Sequence, residues 1–537
     1  MRKSILFFFL ISISFGFSQE DAWVYFSNKP DAVYYLSNPL EMLSQRALDR
    51  RSAQSIALDN LDVPIHQPYV TQVASNNGVT VLAQSKWLNA VHVRGSQQAI
   101  QFLDTISFVT QIQFANAALN TNTSGRFQQM ASVEKNLETQ VTYQYGNSSN
   151  QVTMMNGHLL HQNDFTGTGK IIAVMDNGFT GVNTTAPFQR LFDNNLLLGG
   201  YNFVLRNDAI YSGGSHGTLV LSNMGAFVEN QLIGSAPDAK YYLFVTESNT
   251  YENPLEESLW VEAAELADSF GVDIINTSLG YSTFDNPAYN YNYAAMNGTT
   301  TFIARGAAIA FTRGMICVTS AGNSGNSAWQ YITTPGDALN TLTVGAVNSE
   351  GNYASFSSIG PSADNRIKPD VVAQGVGAIV ATSTGTIGGA NGTSFSSPIT
   401  AGLVACLWQS LPNLTNAEIL QLIRESASIY TTPTAQLGYG IPNFYAAYQN
   451  GLLLSTETIS SNVFTIYPNP FENEITIAFS NEFESGNFIL YNATGRVVQQ
   501  QTIQANQTLS LSQLQSGLYF YSFQTPSEHR KGKLIKK

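Results

Sequence analysis

The chain has 537 residues, of which 43% are hydrophobic and 11% aromatic, so it is too long for one ordinary domain and rich enough for packed cores. Its 25 Lys and Arg against 37 Asp and Glu give a net charge of −12, which argues against a nucleic-acid partner. Two cysteines, Cys317 and Cys406, are too few for a disulfide framework. Both lie in apolar stretches, where we expect buried free thiols. A single disulfide bridge between them is the alternative, which the sequence does not decide.

The first 19 residues have the layout of a secretory signal peptide. Arg2 and Lys3 precede a short apolar run that ends in small residues. The run contains serines and is too short for a comfortable membrane span, so an uncleaved anchor is the weaker alternative. We therefore predict an exported protein.

Residues 20–150 divide into two parts. Residues 20–114 alternate short apolar runs with helical stretches, which is typical of a small α+β domain. Residues 115–150 are polar and have almost no hydrophobic periodicity. This second part is predicted to be an exposed connector, the kind of segment in which proteolysis occurs.

Residues 151–450 contain continuous apolar runs separated by helical segments, the runs being KIIAVMD, AKYYLFVT, VDIINTS, GMICVTSAG and LNTLTVGAV. Strands that are apolar throughout are typical of a parallel sheet covered on both faces. Asn253, Pro254 and Glu256 together predict the capped start of a helix between two of these runs. The region is therefore predicted to be an α/β fold with a largely parallel sheet and flanking helices.

Residues 451–537 change to short alternating strands with turn signals and end in the basic stretch HRKGKLIKK. Regular strand spacing of this kind predicts a small β-sandwich. A β-sandwich does not by itself indicate a function.

The stretch Asn391 to Pro398, NGTSFSSP, places hydroxyl residues directly before an apolar helix. In a parallel α/β sheet, helix N-termini gather at the carboxyl ends of the strands, so a serine such as Ser394 sits where an oxyanion could be stabilised. The alternative is that Thr393 or Ser394 only caps the helix.

A nucleophilic serine needs a base and an orienting acid. His216 lies in GGSHGTLV, at the head of an apolar helix, and the alternative for it is a capped or solvated side chain. Asp176 follows a buried apolar strand directly, where a carboxylate is costly to bury without a partner. These three side chains are predicted to meet at one edge of the sheet.

The blocks IAVMDNGF, SHGTLV and NGTSFSSP, in the chain order Asp, His, Ser, resemble the signature blocks of the subtilisin-like serine proteases. VDIINTSLG and VTSAGNSG agree with two further blocks, so the resemblance covers about residues 151–450. Phe395 and Ser396 depart from the common serine block, which has Met-Ala there. The missing second glycine of G-x-S-x-G counts against an α/β-hydrolase.

The resemblance implies a secreted serine endopeptidase made as a zymogen. Ser394 would be the nucleophile, His216 the general base and Asp176 the group that orients it. Asn323 matches the family's side-chain donor to the oxyanion. The alternative is a turn residue, because an asparagine between glycines is common in turns. A catalytically silent surface protein that binds peptides or matrix is the alternative function.

The resemblance also implies substrate contacts on two segments, which should flank an extended peptide and border its pocket: Ser278, Leu279, Gly280, Ser320, Ala321 and Gly322. The aromatic-rich stretch 281–308 either shapes specificity or is a solvated loop with a helix. No acidic cluster in the sequence identifies a preference for basic substrates. No cofactor is expected; calcium is common in the family, but no ligand set stands out.

The flanking regions also resemble known modules. Residues 20–114 occupy the place of an inhibitory propeptide, and SKWLNAVHV resembles the strand that such propeptides lay against the enzyme. Residues 451–537 are similar to the type A sorting domain of type IX secretion substrates, with a carbohydrate- or surface-binding sandwich as the rival interpretation. The expected partners are protein or peptide substrates and the type IX secretion machinery, and the expected location is the medium or the outer cell surface.

Overall fold

The structure, a computed structural model, describes residues 19–120, 143–454, 464–479, 485–492, 496–504, 507–524 and 529–537. The chain divides into two compact units, Met1–Ser455 and Thr456–Lys537. Nearly all of the predicted signal peptide and residues 121–142 of the predicted connector lie outside the described residues. Within the described ranges, no helix is both long and apolar enough to cross a membrane.

The N-terminal segment of the first unit is a small α+β layer, as predicted. Its strands and helices are β1 (Gln19–Phe26), α1 (Ala32–Ser37), α2 (Gln45–Ala53), α3 (Gln67–Ala74), β2 (Val79–Ser85), β3 (Ala90–Ser96), α4 (Gln97–Phe102) and β4 (Val109–Phe114). The four strands pair antiparallel in the order β2-β3-β1-β4.

The rest of the first unit alternates strands and helices. The elements up to the middle of the sheet are α5 (Ser149–Thr153), α6 (Gly157–His161), β5 (Ile171–Asp176), α7 (Gln189–Asp193), β6 (Leu197–Asn202), α8 (His216–Gly225), β7 (Phe227–Val228), β8 (Leu232–Ile233), β9 (Lys240–Val245), α9 (Leu255–Phe270) and β10 (Ile274–Thr277). They continue with α10 (Phe302–Thr312), β11 (Ile316–Ser320), β12 (Leu342–Val347), β13 (Val371–Gln374), β14 (Ala378–Ala381), β15 (Ile387–Ala390), α11 (Thr393–Ser410), α12 (Asn416–Glu425) and α13 (Phe444–Leu454).

A seven-stranded sheet organises this region, in the order β13-β12-β11-β10-β5-β9-β6, and every neighbouring pair is parallel. The chain runs outward from β5 in one direction to β6 and, after β9, in the other direction from β10 to β13. Strand order therefore reverses beside β5, and a ligand crevice is expected outside the carboxyl ends of the strands at such a point.

Helices cover both faces of this sheet, as the apolar strands predicted. α8 and α11 bury the core on one face, which includes Cys406, while α9 and α10 bury the core on the other face, which includes Cys317. Both cysteines are buried and free, so no bridge joins them. The packing reaches further back than predicted, because Tyr145, within the predicted connector, already lies in the first core.

The N-terminal segment packs on α9 through buried polar contacts. Glu265 of α9 accepts hydrogen bonds from the hydroxyl of Ser85 at 2.6 Å and from the backbone N–H groups of Lys86 and Trp87, each at 2.9 Å. Asp268 forms buried ion pairs with Arg50 and with Arg51. The stretch SKWLNAVHV, predicted to be a strand against the enzyme, is instead the end of β2, a turn over residues 86–89 and the start of β3, and its first residues make this contact.

The second unit is a small sandwich of antiparallel strands. Its elements are β16 (Phe464–Tyr467), β17 (Glu474–Phe479), β18 (Gly486–Asn492), β19 (Val497–Ile503), β20 (Gln507–Ser510), β21 (Gly517–Gln524) and β22 (His529–Lys536). One sheet has the order β16-β17-β20 and the other β19-β18-β21-β22, and their buried residues form one core. The basic C-terminal stretch is therefore mostly a strand, β22, paired with β21.

Candidate active site

Asp176, the last residue of β5, is fully buried and paired with His216. The Nδ1 of His216 lies 2.8 Å from Oδ1 of Asp176, and the backbone N–H of Asn177 donates to the same oxygen at 2.8 Å. His216 is the first residue of α8, and 31% of its side chain is exposed. With Nδ1 donating its proton to the carboxylate, Nε2 is the nitrogen left free to accept one.

The pair also changes the proton affinity of the imidazole. The negative charge of Asp176 raises the pKa of His216 above its ordinary value, the hydrogen bond acts in the same direction, and burial opposes both. An imidazole stabilised in its protonated form in this way is suited to take up a proton during a reaction.

Ser394 is the second residue of α11 and lies beside Ser278, the residue directly after β10. The N-cap of α11 is Gly392, with φ of +152°, and no side chain caps the helix, so the alternative of a mere capping role for Thr393 or Ser394 is wrong. The Ser394 hydroxyl donates to the carbonyl of Ser278 at 3.2 Å, and the Ser278 hydroxyl donates to the carbonyl of Ser394 at 2.9 Å. This exchange ties the head of α11 to the end of β10.

Asn323 follows β11 and is held by Thr393. Its Oδ1 accepts hydrogen bonds from the backbone N–H of Thr393 at 2.9 Å and from the Thr393 hydroxyl at 3.0 Å. Because a backbone N–H can only donate, this contact fixes which end of the amide is the oxygen. The Nδ2 donor is therefore the end left for a ligand.

A pocket of about 360 Å³ lies beside Asn323 and Ser394, and both of these residues line it. Most of the predicted substrate contacts line it too: Ser278, Leu279, Gly280, Ser320 and Gly322. Ala321 does not, because it is fully buried and its N–H donates to the carbonyl of Val344 in the neighbouring strand. The backbone of the segment borders the pocket, but this one side chain faces the sheet.

Sequence reasoning missed several side chains that line the same pocket: Glu252, Ser282, Thr283, Ser324 and Thr333. Ser282 and Thr283 show that the aromatic-rich stretch 281–308 contributes to the site at its start. Glu252 follows the carboxyl end of β9, which is the rule that located Asp176, so this signal could have found it. Thr333 lies in a loop, and nothing in its neighbourhood along the chain points to the pocket.

A metal centre finds no support in the geometry of the described residues, where no group of three or more His, Cys, Asp or Glu side chains is arranged to hold an ion. That the protein requires no cofactor stays a prediction. Whether it binds calcium, as is common in the family, stays open.

The comparisons with known proteins decide the family. The model of the subtilase family matches residues 167–441, which is more than half of the chain. The chain belongs to the subtilase family. The model of the peptidase S8 propeptide domain of Bacteroidota matches residues 21–132 of this subtilase, and that of a secretion system C-terminal sorting domain matches residues 465–537.

Relatives cover both the catalytic region and the segment before it. Subtilisin NAT of Bacillus subtilis subsp. natto is 29% identical over 381 residues, which are 70% of this chain and 85% of the relative. A subtilisin of Bacillus pumilus is 30% identical over 301 residues, 56% of this chain and 98% of the relative. The crystal structure of MycP1 from Mycobacterium smegmatis has a TM-score of 0.44 and 20% identity, covering 60% of this chain and 89% of that one.

The three family models establish the class of protein. The subtilase is a serine-type endopeptidase made as a zymogen with an N-terminal propeptide. Its C-terminal sorting domain directs it through type IX secretion to the cell surface or the medium.

Proposed function

We propose that this subtilase hydrolyses peptide bonds through a triad of Asp176, His216 and Ser394 and an acyl-enzyme intermediate. The observation that carries the proposal is the hydrogen bond of 2.8 Å between His216 Nδ1 and the buried Asp176 carboxylate. It leaves Nε2 of the neutral imidazole unprotonated and able to accept the proton of Ser394, which lies in the first turn of α11.

In the first half of the reaction, Ser394 Oγ attacks the scissile carbonyl while its proton passes to Nε2 of His216. The Ser394 hydroxyl, which donates to Ser278 in this structure, turns from that carbonyl to the imidazole by rotation about χ1. The Asp176 carboxylate holds the ring in place and stabilises the imidazolium that forms. His216 then gives the proton to the leaving amine, and the acyl group stays on Ser394.

The tetrahedral intermediate carries an oxyanion that needs donors. Nδ2 of Asn323 supplies one, since Thr393 engages the other end of the amide. The backbone N–H of Ser394, in the first turn of α11, supplies the second, because N–H groups there have no partner within the helix. In the second half, His216 activates a water molecule that releases the acyl group by the same steps.

The proposal is tested by mass spectrometry of the purified protein after incubation with a fluorophosphonate probe and an unfolded protein substrate. We expect one adduct, on Ser394, together with substrate cleavage. Ser394→Ala should abolish both. Ser396→Ala is a matched control, because Ser396 lies two residues away and only donates to the carbonyl of Thr393. Neither adduct nor cleavage from folded, processed protein would leave the silent peptide-binding function ahead.

A further inference from the structure

The pocket beside Ser394 is lined almost entirely by polar side chains. Leu279 is its only large apolar lining residue among the described part of the chain. The others are glycines and hydroxyl, amide or carboxylate residues: Ser278, Ser282, Thr283, Ser320, Ser324, Asn323, Thr333 and Glu252. An apolar substrate side chain would gain little from such walls, whereas a group with several donors would find acceptors on most sides.

Among the described residues that line this pocket, Glu252 alone is charged. Its loop is joined to the stretch that begins at Tyr281, because the Glu252 N–H donates to Asp285 Oδ2 at 3.0 Å and the Asp285 N–H donates to the Glu252 carbonyl at 2.9 Å. These contacts use the backbone of Glu252. Its carboxylate has no hydrogen-bond or ion-pair partner within the described residues, so it is left for a ligand.

The charged groups that shift the pKa values of Glu252 and of the nearby Glu247 are all carboxylates. Burial and the charge of Asp285 raise the pKa of Glu252 to about 7. Burial, Asp176, Glu252 and Glu256 likewise raise the pKa of Glu247 to about 9. Such shifts arise where carboxylates lack a cation, and these side chains do not converge in the manner of a metal site. A cation brought by the substrate would supply the missing charge.

Thr333 is an independent indication that the pocket takes a polar group. Thr333 is only 5% exposed, and its Oγ1 has no hydrogen-bond partner in the part of the chain that the structure describes. A Cβ added to Gly280 would lie 2.2 Å from this oxygen, and one added to Gly322 would lie 2.9 Å from it. The Thr333 hydroxyl therefore lies between the two segments that were predicted to flank the peptide, next to Gly280 in one and Gly322 in the other. A buried hydroxyl without a partner is costly, and a ligand can remove that cost.

We propose that this pocket binds a cationic nitrogen of the substrate, with the Glu252 carboxylate as its charge partner and the Thr333 hydroxyl as an additional hydrogen-bond acceptor. The proposal rests on the function proposed above and names the substrate class for that site. The cation is either a Lys or Arg side chain on the acyl side of the scissile bond or the α-ammonium group of a short peptide.

The test compares kcat/KM for two sets of peptides at pH 7.5, where most Glu252 carboxyls, with a pKa of about 7, are ionised and most peptide α-amino groups still carry their proton. In the first set, all N-acetylated, one Lys is moved through the four residues before the scissile bond and compared with norleucine at the same place. In the second set, the norleucine peptides carry a free or an acetylated N-terminus. We expect a preference for the cation of about tenfold or more at one position or at the terminus, the size of a good partly buried charge pair.

Two variants assign the preference to its residues. Glu252→Gln should lower the ratio of kcat/KM for the charged and uncharged peptides by about tenfold, whereas Glu425→Gln, an exposed residue on α12, should leave it at the wild-type value. Thr333→Val should also lower the ratio, without lowering the free energy of unfolding, because no hydrogen bond of the free enzyme is lost. A dependence on the acetyl group would identify the α-ammonium as the source, and a dependence on Lys the side chain.

The proposal is overturned if no peptide pair shows a preference, or if Glu252→Gln changes the ratio no more than Glu425→Gln. Labelling of Ser394 by a fluorophosphonate keeps this outcome apart from failure of the proposed function. If Ser394 is labelled, the enzyme works and only the pocket assignment has failed. If it is not labelled, calorimetric binding of the Lys and norleucine peptides to the same protein decides the pocket assignment.

Discussion

His216 carries the proton transfers of the proposed mechanism, and its environment sets the pH range in which they occur. Asp176 raises the pKa of His216 above the ordinary value of about 6.5. The base must be neutral to accept a proton, so kcat/KM should fall as pH decreases, along an acid limb whose midpoint lies above about 6.5. A pH profile with an uncharged peptide measures this, because Glu252 then faces no substrate charge.

Asp176→Asn is the control for that profile. Without the negative charge, the acid limb should move to lower pH, and kcat should fall by about 10⁴ because the imidazole loses its orienting partner. A wild-type profile that is flat from about pH 5 to 8 would remove His216 from the role of base.

Asn323 is expected to act only in the transition state. Asn323→Ala should lower kcat by about 10²–10³ with little change in KM, because its Nδ2 meets charge that develops after substrate has bound. Thr393→Val should give a smaller loss, since the backbone N–H of Thr393 still orients the amide. Steady-state kinetics checks both, with the exposed Asn326→Ala as control. An unchanged kcat in Asn323→Ala would exclude the donor role.

At the scale of elements, the five central strands of the large sheet were predictable and the two outermost strands were not. β5, β9, β10, β11 and β12 are continuous apolar runs because helices cover both of their faces. β6 has the sequence LLGGYN, with two glycines and mostly half-buried side chains, and β13 has only four residues. These two segments are strands because β6 pairs with β9 and β13 pairs with β12. The local sequence pattern does not predict this pairing.

The contact between α9 and the propeptide gives a prediction at this scale. Glu265→Ala in the Ser394→Ala precursor should weaken that contact by about 3 kcal/mol. The substitution leaves two backbone N–H groups and a hydroxyl at a buried surface without their hydrogen-bond acceptor. Urea titration followed by tryptophan fluorescence measures it, since Trp23 and Trp87 are buried there. Glu425→Ala serves as the control, and equal urea midpoints for the two variants would contradict the prediction.

At the scale of the whole molecule, the chain combines a propeptide, a protease domain and a C-terminal sorting domain. The C-terminal unit has its own hydrophobic core, so we expect it to fold independently of the rest of the chain. Removal of residues 465–537 should leave the protease active but retain it inside the outer membrane of a host with type IX secretion. Cell fractionation with activity assays measures this. Equal activity in the medium with and without the sorting domain would show that secretion does not depend on it.

The sequence by itself determined the family, the order of modules and the triad candidates, because each of these is recorded in short contiguous blocks such as SHGTLV and NGTSFSSP. Only the tertiary structure decided the pairing of Asp176 with His216, the orientation of Asn323 by Thr393, and the character of the pocket. Glu252 and Thr333 lie 81 positions apart in the chain, yet both line one pocket. They come close because the parallel sheet brings separate loops to one edge. Local sequence patterns do not record which loops become neighbours in space.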